Sequence, residues 1–221
     1  MKDKVTSLIA VRSGSKRAPK KNIRPFGGTS LLEIKIKQAK RIGLIDEVVV
    51  SSDDHGMLDL CATLGATPHE RDSHYASDAV PMGDVYSYLA SEMNTDVIVW
   101  MPVTSPLVTD ATVSRCIEVY NRGKHDSVVT THAVKEYLWH NGVSMNYDSK
   151  NHPRSQDLPD IYALNFAVNV LSRNLMREKR NIIGDNHYPH MLRGFETVDI
   201  DDEKDFIIAE ILYNIEKTKT V

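Results

Sequence analysis

A chain of 221 residues with 41% hydrophobic and 26% charged residues has the composition of an ordinary globular protein, long enough to bury a sizeable core and most economically one domain. Its formal net charge of −3 argues against general nucleic-acid binding, no stretch approaches the ~18 apolar residues of a membrane span, and no signal-peptide pattern is read at the start. The two cysteines, Cys61 and Cys116, each fall in a predicted amphipathic helix and read as small core residues, so a reduced, cytoplasmic setting is expected rather than a disulfide.

The apolar run Val5 to Val11 predicts a short buried strand. It stops at Ser13-Gly14-Ser15 and opens into a loop carrying Arg12, Lys16, Arg17, Lys20 and Lys21, in which Pro19 forbids regular helix. Small residues leaving a strand let backbone N–H groups approach phosphate oxygens, and the Arg and Lys side chains supply the charge that a triphosphate requires. No Gly-x-x-x-x-Gly-Lys-Ser/Thr pattern is present, so the loop is not a Walker A loop. Ser30 and Glu33 have the spacing of a capping box before a helix whose stripe is Leu32, Ile36 and Ala39, stopped by Gly43. Glu47 to Asp53 predicts a second buried strand, Met57, Leu60, Cys61 and Leu64 one face of a second helix, and Thr67 to Arg71 a short third strand. Residues 72–83 read as an irregular loop, followed by a helix from Asp84 to about Glu92.

Val97 to Met101 predicts strand four, and Asp110 is expected to cap a helix bearing Val113, Cys116, Ile117 and Tyr120. Asp126 to Thr131 is a fifth strand. Strands alternating with helices predict an α/β parallel sheet, in which ligands sit beyond the carboxyl ends of the strands. Arg12, Asp53, Ser105 and the 72–83 loop then gather at one edge. From Ala133 to about Asn165 the pattern loosens into scattered aromatics and polar runs, too long for a simple loop; 133–165 reads as an excursion that packs on a second subunit. Phe166 to Leu171 resumes as an apolar strand. Val198 to Asp201 reads as a strand edge, and Asp202 to about Lys217 as a helix whose buried face is Ile208, Ile211, Leu212 and Ile215.

Side chains two apart in a strand share a face, so Asp199 and Asp201 are expected to project together. Such a pair is costly unless a cation or donor neutralises it, and Mg²⁺ takes one or two carboxylates plus substrate phosphates. The alternative is that Asp201 caps the following helix. His69 with His74, and His187 with His190, lack an accompanying Cys and are weak zinc candidates. Arg193 is an additional basic candidate for an anionic acceptor.

The residues Ala10, Arg12, Ser15, Lys16, Pro19, Lys21 and Asn22 form the pattern Ala-x-Arg-x-x-Ser-Lys-x-x-Pro-x-Lys-Asn, which resembles the N-terminal signature of the acylneuraminate (CMP-sialic acid) cytidylyltransferase family. Three further stretches resemble the family in the same order: Arg71 with Ser77-Asp78, Thr104-Ser105-Pro106-Leu107, and Val198-Asp199-Ile200-Asp201 followed by Asp205. The resemblance spans nearly the whole chain and implies a Rossmann-like nucleotidyltransferase fold with a mostly parallel sheet and helices on both faces, acting as a homodimer. It implies CTP as a substrate, Arg12, Lys16 and Lys21 on the triphosphate, and nucleotide contacts from Ala10, Ser15, Asn22, Arg71, Ser77 and Asp78. Mg²⁺ is implied at Asp199 and Asp201.

The departures from the family concern the acceptor. Pro102 and Val103 stand where the family usually has Gln-Pro, and its Arg-Pro-Asn-Gly-Ala segment appears as Ala163-Leu164-Asn165-Phe166-Ala167. An Arg that reads a carboxylate is not replaced by Ala without changing recognition. Arg154, Gln156 and Asn165 are the remaining acceptor candidates. The acceptor expected from the resemblance is a nonulosonic 2-keto sugar acid; a different acid such as a phosphonate, or nucleotide binding without transfer, are the alternatives.

Overall fold

The computed structural model describes residues 2–14 and 19–219, apart from the side chain of Lys219. The first half alternates strand and helix: β1 (Val5–Ala10), α1 (Leu31–Arg41), β2 (Glu47–Ser52), α2 (His55–Thr63), β3 (Thr67–Glu70), α3 (Met82–Glu92), β4 (Val97–Trp100) and α4 (Asp110–Asn121). There follow β5 (Ser127–Val134), a small hairpin of β6 (Trp139–His140) and β7 (Val143–Ser144), β8 (Ile161–Ser172), α5 (Arg173–Lys179), β9 (His187–Met191) and α6 (Glu203–Lys219). Seven strands form one sheet in the order β3-β2-β1-β4-β8-β5-β9. Only β8 runs antiparallel to its neighbours, β4 and β5; the other pairings are parallel.

The strands read as near-continuous apolar runs because both faces of the sheet are covered. Alternate side chains go to opposite sides: Ile9, Val48, Val50, Val97 and Val99 join one core with α1, α2, α4 and α6. Leu8, Val49, Ile98 and Trp100 join the other with α3 and α5. Cys61 and Cys116 are free thiols buried in the first of these cores.

Several expectations are corrected. Ser30 caps α1 by accepting from the Glu33 N–H, but α4 is capped by Thr109 rather than Asp110, whose carboxylate instead binds Arg41. Strand β8 begins at Ile161, five residues before the expected Phe166, because its first half continues the ladder with β5 past a register shift between Val129 and Thr131. Residues 198–201 are not a strand: a 3₁₀ turn at Gly194–Thr197 leads into irregular backbone, so period-two reasoning does not place Asp199 and Asp201 on a shared face. The expected buried face of α6 is also misplaced. Phe206 and Ala209 are buried, whereas Ile207, Ile208, Ile211 and Ile215 are exposed, because α6 docks through Phe206 and Tyr213 onto Phe26.

Candidate active site

The carboxyl ends of β1 and β4 open on a cleft of about 360 Å³ whose walls include Ala10, Arg12, Gly14, Lys21, Asn22, Thr104 and Asp201. Its floor is the exit of β1. The chain turns away there because Asp53, just past β2, accepts from both the N–H and the hydroxyl of Ser13 at 3.0 and 2.8 Å. Burial alone would raise the Asp53 carboxyl; the Ser13 bonds outweigh it and hold the group below the usual carboxylate value. Asn22 is buried and donates to the Arg12 carbonyl at 3.0 Å, closing the loop back on its own start. Arg12 reaches across to the Ala76 carbonyl at 3.0 Å and forms an ion pair with Asp78. Ser15, Lys16 and Arg17 lie outside the described residues.

Beyond Arg12 lies a second cleft of about 340 Å³, lined among others by Arg71, Ser77, Asp78, Met82 and Trp100, and sharing Ala10 and Arg12 with the first. Arg71 is no surface ion-pair residue. It is buried, donating from Nε to the Ser51 hydroxyl (3.1 Å) and from Nη2 to the Ser51 carbonyl (2.6 Å). Burial pushes its guanidinium down to about 10, against the pull of Asp53. The Ser51 hydroxyl that accepts from Arg71 also shares a hydrogen bond with His69 Nδ1, 2.9 Å away.

The far wall is built from two segments laid side by side. The Ile200 N–H donates to the Thr104 carbonyl (2.9 Å), and the buried Ser105 hydroxyl donates to Asp199 Oδ1 (3.1 Å). Lys21 crosses from the basic loop to the Ile200 carbonyl at 2.7 Å. Asp201 faces the cleft, while helix capping falls to Asp202, whose carboxylate accepts from the Asp205 N–H as Asp205 accepts from the Asp202 N–H. Among the described residues no three His, Cys, Asp or Glu side chains converge to hold an ion unaided. Asp201 lines the first cleft and Asp199 is held beside it in the chain by the Ser105 hydroxyl, two hard oxygen donors of the kind Mg²⁺ takes together with phosphate oxygens and water.

The acceptor candidates are not gathered in these clefts. Arg154 is exposed and pairs with its neighbour Asp157 in a 3₁₀ turn of the 133–165 segment, and Gln156 is exposed beside it. Asn165 is buried and donates to the Thr197 carbonyl at 3.0 Å, two residues before Asp199. Phe166 follows with φ +59°, a left-handed conformation inside a strand that suits glycine and strains an aromatic residue.

Sequence reasoning missed Lys35. It is completely buried, and its Nζ donates to the Ser105 carbonyl and to Gln38 Oε1, each at 2.8 Å. Burial pushes the ammonium down to about 7 against the pull of Asp110 and Asp199. The signal was present: Lys35 and Gln38 lie three residues after Leu32 and Lys35, on the apolar stripe of α1, where only a partnered polar group is tolerated.

A family model described as cytidylyltransferase matches residues 6–186. The chain is 29% identical to a pseudaminic acid cytidylyltransferase of Campylobacter jejuni, over 94% of this chain and 95% of that one. It is 24% identical to a CMP-N,N'-diacetyllegionaminic acid synthase of Legionella pneumophila, over 99% and 100% of the two chains. The structure of a CMP:2-keto-3-deoxy-manno-octonic acid synthetase complexed with CTP superposes with a TM-score of 0.71, covering 96% of this chain and 99% of that one at 13% identity. A basic loop after β1, a buried arginine after β3 and two aspartates before the last helix thus belong to a chain matched along most of its length, and the protein is a member of the cytidylyltransferase family.

Proposed function

We propose that this enzyme transfers CMP from CTP to an acidic acceptor, a nonulosonic, sialic-acid-like 2-keto sugar acid, and releases pyrophosphate. The observation that carries the reading is the cleft in which Arg12, Lys21 and Asn22 face Asp201 across the end of the sheet. A hydroxyl oxygen of the acceptor attacks the α-phosphorus, the bond from that phosphorus to the bridging oxygen breaks, and pyrophosphate leaves while the hydroxyl proton is lost. Such chemistry needs chiefly positioning and neutralisation of charge. Arg12, Lys16 and Lys21 are assigned to the triphosphate, and Ala10 and Ser15 to further nucleotide contacts. Asn22, Arg71, Ser77 and Asp78 hold the nucleoside in the two adjoining clefts. Arg12 exchanges its ion pair with Asp78 for phosphate oxygens when the nucleotide arrives.

Asp199 and Asp201 would hold Mg²⁺, which when bound supplies neutralising charge to the phosphates and geometry to the departing pyrophosphate. Asn165, close to Thr197, is the acceptor candidate nearest the site. Arg154 and Gln156 would serve an acceptor only across a homodimer, where the 133–165 arm of one chain meets the cleft of the other. Trp139, Val143, Met145, Tyr162 and Leu164 give that arm an exposed apolar surface suited to pairing with a second copy. With both thiols reduced and buried, the single domain 1–221 is suited to the cytoplasm.

The deciding experiment is pyrophosphate release with CTP and Mg²⁺ against sialic, legionaminic, pseudaminic and 3-deoxy-octulosonic acids and simple phosphonates. Release with one sugar acid is expected and identifies the acceptor. Release with a phosphonate alone, or CTP binding with no turnover anywhere, overturns the sugar-acid reading.

A further inference from the structure

Helix α1 lies behind the site and touches neither cleft with its buried polar residues. Yet two of them, Lys35 and Gln38, together with the exposed Arg41, reach toward the segment that leads from β4 to α4. Lys35 Nζ donates to the Ser105 carbonyl (2.8 Å). Gln38 Nε2 donates to the Val108 carbonyl (2.5 Å) and to Asp110 Oδ1 (3.2 Å). Arg41 closes the row on the Asp110 carboxylate (2.9 and 3.0 Å). The segment so held is the one that presents Ser105 Oγ to Asp199 (3.1 Å) and the Thr104 carbonyl to the Ile200 N–H (2.9 Å).

An aliphatic side chain would fill the position of Lys35 without desolvating an amine. Bonded to two acceptors, the Ser105 carbonyl and Gln38 Oε1, each at 2.8 Å, Lys35 serves geometry, since buried polar networks hold one arrangement where apolar packing tolerates several.

We propose that Lys35 is a positioning residue that locks the 104–105 segment and, through the Ser105 hydroxyl, fixes the carboxylate of Asp199 in the orientation the reaction uses. It reaches the site through its bond to the Ser105 carbonyl, beside the through-space pull between its ammonium and Asp199, and touches no substrate. The proposal rests on the reading of Asp199 as a carboxylate that serves a divalent cation. Groups that orient a metal-binding side chain typically matter 10–100-fold to affinity or activity.

The test measures Mn²⁺ binding by electron paramagnetic resonance on the CTP-saturated full chain, for wild type, Asp199→Asn, Ser105→Ala, Lys35→Met and the double variant Lys35→Met/Ser105→Ala. CTP affinity without metal is measured in parallel. Asp199→Asn is expected to weaken Mn²⁺ binding most, and Ser105→Ala and Lys35→Met each by roughly tenfold. The double variant is expected to bind within about twofold of the weaker single variant, because both break one linkage. Metal-free CTP affinity is expected to stay within about twofold of wild type, which a general loss of packing would not spare. Should Lys35→Met fail to fold, Lys35→Gln, which keeps an N–H donor without the charge, takes its place beside Ser105→Ala. If Asp199→Asn weakens Mn²⁺ binding while the Ser105 and Lys35 variants bind as wild type, the positioning role is overturned and the cation reading stands. If Asp199→Asn binds Mn²⁺ as wild type, the cation reading falls and the role assigned to Lys35 falls with it.

Discussion

Burial of Lys35 is expected to make the stability of this protein rise with pH above neutrality. In the unfolded chain its ammonium titrates near 10.5, whereas burial in α1 lowers it to about 7. Between those values the unfolded state binds the extra proton, so the free energy of unfolding climbs as pH increases, by at most about 1.4 kcal/mol per pH unit. Below 7 both states are protonated and the full cost of burying the charge is present; it is relieved as pH rises through 7. Two thiols act in the opposite sense. Burial pushes Cys116 up to about 12 and raises Cys61 as well, so their unfolded thiolates oppose folding from about pH 9 upward. The clean window is therefore pH 7 to 8.5, over which Lys35 contributes roughly 2 kcal/mol. Urea unfolding at steps across this window, for wild type and Lys35→Met, gives the slope directly. Wild type is expected to gain stability relative to the variant by about that amount. Parallel pH dependences in the two proteins would mean that the amine is as easily protonated folded as unfolded, and the reasoning from burial would be wrong.

Four further outcomes are expected. Arg71→Met removes a buried guanidinium from the second cleft, and the loss of one charge-assisted hydrogen bond to the nucleotide, about 1.5–3 kcal/mol, raises the Kd for CTP by roughly 10–150-fold; an unchanged calorimetric Kd would take Arg71 out of the nucleotide site. Lys21→Ala lowers turnover by about 100-fold or more with an unaltered circular dichroism spectrum, and near-normal rates would remove the basic loop from the mechanism. Asp201→Asn alters the Mg²⁺ titration of activity without melting α6, since Asp202 and Asp205 cap that helix; an unmoved titration would leave Asp201 with no role toward the cation. Light scattering at working concentration is expected to give the mass of two chains, and replacing Trp139 and Met145 by Ser is expected to lower it to one; a monomeric mass for wild type would refute the pairing of the 133–165 arm.

The order of elements from β1 to α4 was legible because β1, β2 and β4 are buried on both faces and the helices carry stripes of period 3.6, so propensity, pattern and burial agree; only β3 is a short, mostly exposed edge strand. Of the residues expected at the nucleotide, Arg12, Asn22, Arg71, Ser77 and Asp78 line the two adjoining clefts, in the segments that follow β1 and β3. Besides the small β6–β7 hairpin inside the 133–165 excursion, a strand and a helix went unread. Strand β9, His187-Tyr188-Pro189-His190-Met191, is a polar edge strand held by β5 alone, with no alternation to detect. Helix α5 is only seven residues long and buries Met176, too little for a periodic signal. The far wall was misread in its geometry, since Val198 to Asp201 has the composition of a strand but takes its shape from bonds to Thr104, Ser105 and Lys21, all distant in sequence. The exposed isoleucines of α6 were assigned to the core on pattern alone; Phe26, some 180 residues upstream by the chain's own numbering, decides which face turns inward.

Strand β8 has a consequence for how the chain reaches its native state. Strands β1 to β4 pair in parallel, β1 with β2 and β2 with β3 through single crossovers and β4 returning to β1 from farther along the chain, and all four are complete before β5 is made. Strand β5 has no partner among them: it reaches the rest of the sheet only through β8, which inserts between β4 and β5 and closes both ladders at once. Those contacts join Trp100 to Asn169 and Val129 to Asn169, far apart in sequence, and closing such loops is slow. A translation product ending before Ile161 would thus carry a strand with both edges open, and synthesis of that single antiparallel segment divides a growing chain prone to association from one that has closed its sheet.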